Sequence, residues 1–176
     1  MKRIVSGVCC LGLALCCLPL TAQAKMHKAG AAMTDQQFVD FAGQTDMVEA
    51  NLGQLAQNVS DNQAVKDYAQ TLVTDHTQDF SQLNTAAQQA SLTVPTAIDS
   101  EHNKAMIDPF QKLKGKAFDH KYIEEMIAGH TKAIAIYKKE SEAAENPAVK
   151  TYAEDALPVL QKHLDAAKAL EKSKTR

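Results

Sequence analysis

Four stretches of this chain set apolar residues in alternating steps of four and three, the spacing that places them on one helix face. Each stripe is interrupted by an ionisable residue. The first runs Phe38, Ala42, Thr45, Glu49, Leu52, Ala56, Val59; the second runs Val65, Ala69, Leu72, His76, Asp79, Leu83, Ala87, Ala90. The third carries Asp119, Tyr122, Met126, His130, Ala133 and Tyr137, and the fourth brings His163 onto its stripe. Amphipathic helices must hide such stripes against one another. Glu49, His76, His130 and His163 therefore enter a shared core, where an unpartnered ionisable group costs several kcal/mol. A bundle with one such group per helix must hydrogen-bond them together or give them a metal ion.

The helix limits are marked by local chemistry. Thr34 suits an N-cap, and Gln37 sits where a capping box needs it. Ser60-Asp61-Asn62 forms a turn, and Asn146 followed by Pro147 opens the fourth helix, which Pro158 is expected to kink. The third helix is expected from about Ala117 to Ala144. Neighbouring antiparallel helices are joined by ~2–8 residues, so Ser91 to Lys116 is too long for a hairpin loop. It reads as a crossover with a short helix from about Asp99 to Lys112, strained by Pro109 and stopped at Gly115. The expected fold is all-α: a ferritin-like four-helix bundle over residues 34–173, two antiparallel hairpins joined by a long crossover.

An internal repeat supports this plan. Asn62-Gln63-Ala64-Val65-Lys66-Asp67-Tyr68-Ala69 returns as Asn146-Pro147-Ala148-Val149-Lys150-Thr151-Tyr152-Ala153, each block at a helix start after a turn. The repeat does not superpose the core ionisable residues, because it matches Asp79 to His163 and Asp46 to His130. Tyr68 and Tyr152 are expected to pack near the turns. Glu49 and His76 stand equally far from the first turn, as do His130 and His163 from the second. A crossover puts the turns at opposite ends. At ~1.5 Å per residue the two pairs then fall within about one helical turn of each other. Asp75, Asp79, Asp119 and Tyr122 flank these positions as further ligands or as partners that orient the imidazoles.

Met1 to Ala24 has the pattern of a cleaved signal peptide: Lys2 and Arg3, an apolar run from Ile4 to Leu20, and Ala22-Gln23-Ala24 before Lys25. The run is short for a spanning helix, which needs ~20 residues. Residues 25–33, rich in Ala, Gly and Lys, read as a flexible leader, and the mature chain is expected in the periplasm or outside the cell. Cys9, Cys10, Cys16 and Cys17 all lie in the signal segment, so disulfides and thiolate metal sites are excluded from the mature protein. The whole chain carries a formal charge of −2, and losing Lys2 and Arg3 makes it more acidic. No basic block precedes the tail at Lys168, Lys172, Lys174 and Arg176, which argues against nucleic acid as a partner. No transmembrane anchor follows the signal segment. A homo-oligomer is left open.

Several blocks of the chain resemble the domain-of-unknown-function 4142 family. They are Met47-Val48-Glu49-Ala50-Asn51-Leu52-Gly53, Val73-Thr74-Asp75-His76-Thr77, Phe118-Asp119-His120-Lys121-Tyr122 and Leu157-Pro158-Val159-Leu160-Gln161-Lys162-His163-Leu164. The likeness covers about Asp35 to Leu170. It implies export, sometimes with outer-membrane association, and a ferritin-like fold, but no settled activity. Gly129, before His130, departs from the acidic residue that the resemblance leads one to expect.

Di-iron bundles of the ferritin type need Glu-x-x-His on two helices, yet Val73 and Leu160 stand three residues before His76 and His163. That motif is absent. Three imidazoles and one carboxylate instead suit a single divalent transition metal, Zn, Cu or Ni. The competing reading is a metal-free network fixing helix register, with Glu49 on His76 and with Asp119 or Tyr122 on His130. His27, His102 and His120 lie off the stripes and are expected to face solvent. Met26, Met33, Met47, Met106 and Met126 are too scattered for a thioether site. No Gly-x-Ser-x-Gly or phosphate loop occurs, so no catalytic residue is assigned. The chain reads as a binding protein with an envelope or stress role more than as an enzyme; the alternative is metal-dependent redox chemistry at the buried centre.

Overall fold

The computed structural model describes residues 33–174; the expected signal peptide and leader before Met33, His27 included, lie outside the described residues. Four long helices carry the fold: α1 (Asp35–Val59), α2 (Gln63–Ala90), α4 (Gly115–Ala143) and α5 (Pro147–Lys174). No strand occurs among the described residues. The Thr34 hydroxyl accepts from the Gln37 N–H while the Gln37 side chain takes the Thr34 N–H, which closes the capping box. The repeated Asn residues cap their helices alike: Asn62 Oδ1 accepts from the Ala64 N–H and Asn146 Oδ1 from the Ala148 N–H.

The connection between α2 and α4 runs the length of the bundle. It leaves α2 through Ser91, in the left-handed region at φ 58°, and lies beside the start of α1, where the Gln36 amide pairs with both backbone groups of Thr93. Gln44 bridges it to Ala97 and Asp99 further along α1. It ends at Gly115, also left-handed at φ 52°, where an added Cβ would meet Asp61 of the first turn at 3.0 Å. The second turn sits at the other end, its Glu145 and Asn146 N–H groups donating to the Asp35 carboxylate. The expected short helix is broken into α3 (Ser100–His102), a π-helical turn over Asn103–Ile107 and a 3-10 turn over Asp108–Phe110. Pro109 lacks the N–H that a continuous α pattern needs there. Pro158 stands inside α5 without interrupting its helical run.

The buried apolar side chains fall into two clusters. Phe38, Ala42, Leu83, Tyr137 and Tyr152 belong to the one nearer the second turn; Leu52, Leu72, Phe118, Tyr122 and Met126 belong to the one nearer the first. The ionisable residues occupy the layer between them. Gly53 lets α1 and α2 approach: a Cβ there would fall 2.7 Å from Val73 Cγ2 and 2.9 Å from the Ala69 carbonyl.

Candidate metal centre

Glu49, His76, His130 and His163 meet in that layer, each no more than 5% exposed. Glu49 Oε2 lies 3.0 Å from His76 Nε2 and 3.4 Å from His130 Nε2, and His130 Nε2 lies 3.2 Å from His163 Nδ1. One nitrogen from each imidazole falls within 4.8 Å of the other two.

The opposite nitrogen of each ring is held from outside. His76 Nδ1–H donates to Asp46 Oδ1 at 2.8 Å, His130 Nδ1–H to the Met126 carbonyl at 2.8 Å, and His163 Nε2–H to Asp75 Oδ2 at 2.8 Å. The three acceptors fix the tautomers, because a carbonyl or a carboxylate can only accept. The inner nitrogens, His76 Nε2, His130 Nε2 and His163 Nδ1, are thereby left as lone pairs that face one another and Glu49. Acceptors so close repel unless positive charge sits among them. Although Glu49 Oε2 and His76 Nε2 are 3.0 Å apart, their mutual direction makes no hydrogen bond, and both atoms are buried without one.

Protons supply that charge in the metal-free chain. Burial works against the ionised form of Glu49, but the imidazoles of His130 and His76 outweigh it and hold the carboxyl at about 2. Burial likewise opposes a charged His76, yet Glu49 and Asp46 raise it well above its ordinary value. Burial lifts Asp46 to about 7 against its bond from His76, and lowers His163 to about 4 against its bond to Asp75. Glu49 is the anion of the centre, and His76 carries the balancing proton.

The flanking residues divide. Asp75 orients His163. Asp79, raised by burial, accepts from the Tyr152 hydroxyl at 2.7 Å instead of touching an imidazole. The expected bonds from Asp119 or Tyr122 to His130 do not form: His130 uses Nδ1 on Met126, and both Asp119 Oδ1 and the Tyr122 hydroxyl are buried without a hydrogen bond. They stand two to three helical turns before His130, so a shared face did not mean a shared height. Sequence reasoning missed Asp46 as a site residue. The repeat carried its signal, since it matches Asp46 to His130 and so to the level of the centre. Tyr68 and Tyr152 do more than pack: the Tyr68 hydroxyl donates to the His163 carbonyl at 3.3 Å, just as Tyr152 reaches Asp79, the repeat mate of His163. His120 is exposed and paired with Glu124, whereas His102 is only partly exposed and pairs with Asp99.

Bonds of ~2.0–2.1 Å at tetrahedral angles need ligand atoms about 3.4 Å apart. The spacings of 3.0 and 3.4 Å from Glu49 to His76 and His130, and of 3.2 Å from His130 to His163, approach that value, while the three imidazole nitrogens together lie within 4.8 Å of one another. The residues present fit a borderline ion, with imidazole and carboxylate as donors and no thiolate.

Fold and site together define a helical bundle with a buried polyhistidine-carboxylate centre. The chain belongs to the family described as Domain of unknown function (DUF4142), which it matches over residues 20–170. No curated protein matches it. Among solved structures it is similar to CopM in the Cu(II)-bound form, with 18% identity, a TM-score of 0.67, and 81% of this chain and 99% of that one covered. It is also similar to CopM in the Ag-bound form obtained by soaking, at 17% identity, TM-score 0.66, with 81% and 98% covered. The apo form matches at 18% identity, TM-score 0.64, with 80% and 98% covered. At such identities the likeness shows the all-α fold. No helix of the described residues is long and apolar enough to cross a membrane.

Proposed function

We propose that the protein is exported, loses residues 1–24 and binds one borderline transition-metal ion through His76, His130, His163 and Glu49. The observation that carries this reading is the inward set of three tautomer-fixed nitrogens beside a carboxylate oxygen that has no hydrogen bond. Copper(II) leads zinc and nickel by the general order of divalent affinities for such donors. The CopM structures in Cu(I)-, Cu(II)- and Ag-bound forms support this reading, since they share the fold.

Four protein donors close a tetrahedral ion, which suits holding it more than turning over a substrate. The reading is therefore a binding protein of the cell envelope in metal handling or metal stress. The mature chain, purified without a His-tag, is expected to take up one Cu(II) or Zn per chain by elemental analysis. The pair His76→Ala with His163→Ala should abolish uptake while far-ultraviolet dichroism stays helical. Substoichiometric metal in the wild-type chain, with unchanged melting on chelation, would remove the proposal and leave the metal-free network.

A further inference from the structure

We propose that the ion enters and leaves the centre through the groove between α2 and α5, with Asp75 and His163 as its inner gate. This rests on the metal-binding reading above. The groove has a volume of about 1120 Å³, and its inner wall includes Asp75, His76 and His163 but neither Glu49 nor His130. Two of the three imidazoles are thus reached from one side, and the other two donors lie behind them.

The other sides offer the ion less. The two apolar clusters cover the layer above and below. His130 is fully buried, and its Nδ1 is tied to a helix carbonyl, so its ring cannot swing without leaving that bond unmade. His163 differs. Its Nε2 partner, Asp75, has a side chain 35% exposed at the groove. Pro158, just over one turn earlier in α5, leaves the Glu154 carbonyl without its helical N–H donor, so the helix bends most easily near this residue.

The groove is also charged for a cation. Asp75, Asp79 and Asp155 line it against Lys162, and the amides of Gln78 and Gln82 can replace waters of hydration on the way in.

Stopped-flow exchange of Zn or Cu(II) with a chelating indicator tests the route. Thr151→Trp with Val159→Arg obstructs the groove at exposed positions. It should slow uptake and release together, each about tenfold, leaving affinity nearly unchanged. Asp155→Lys should slow uptake and flatten its dependence on ionic strength. Thr77→Trp, at a small cavity between α1 and α2, should exchange at the wild-type rate. Wild-type exchange in the folded groove variant, or slowing in Thr77→Trp alone, would overturn the route while the centre stood. A wild-type chain that binds no metal would overturn both.

Discussion

Replacing Glu49 by Gln removes one charge at nearly constant shape, and the structure sets the size and the pH dependence of the loss. In the metal-free protein the carboxyl is held at about 2, against an ordinary 4.5. At ~1.36 kcal/mol per pH unit, that gap corresponds to about 3 kcal/mol of stability when the group is ionised. Its side chain is only 6% exposed, so solvent screening takes little of this. The sign follows from the lowered value: the contribution is whole above about pH 4.5 and is lost as pH falls through about 2. Urea unfolding of chelator-treated wild type and Glu49→Gln should therefore differ by about 3 kcal/mol at pH 7, or roughly 6–12 °C in melting temperature. The difference should fall to about half near pH 3. A difference that stays constant from pH 7 to pH 3 would show that the Gln variant suffers from packing rather than charge. No difference at pH 7 would refute the ion pair altogether.

Other substitutions probe the helices around the centre. Gly129→Ala should stabilise the chain by up to about 1 kcal/mol, because its Cβ would meet Glu49 Oε1 at an ordinary 3.5 Å while the helix gains propensity; a lowered melting temperature would contradict this. Gly53→Ala should instead cost about 1–3 kcal/mol in urea unfolding, since the new methyl overlaps Val73 and the Ala69 carbonyl. Tyr152→Phe strips a donor from the buried Asp79 and should cost about 1–3 kcal/mol at pH 7, shrinking in acid as Asp79 protonates. Equal losses at both pH values would point to packing instead. Binding of a divalent ion should raise the melting temperature of wild type but not of the His76→Ala, His163→Ala pair, as differential scanning calorimetry would show.

Much of the fold was legible because it is written in local chemistry. The Thr34 box, the two Asn caps and the length of the crossover each follow from a few residues, and the distances of Glu49, His76, His130 and His163 from their turns put them at one level. What stayed hidden depends on height and rotamer rather than on face. Asp119 and Tyr122 share the stripe of His130 but stand too far along the axis, whereas Asp46, off the stripe drawn through Glu49, points straight at His76. The short crossover helix expected from about Asp99 to Lys112 is present over residues 100–110, but the strain expected of Pro109 is met there by wider and tighter turns in place of regular α-helix.

The repeat has a consequence for what such a chain can hold. Asp46 and Asp79 of the first hairpin take the places that His130 and His163 take in the second, while Ala133 and Leu160 stand where Glu49 and His76 would recur. Two identical hairpins paired about a dyad could offer donors only in matched twos. Joining them in one polypeptide frees each half to diverge, and an odd number of nitrogens around one oxygen becomes attainable. The long strap between the halves is what makes a lopsided pocket possible inside an otherwise near-symmetric barrel.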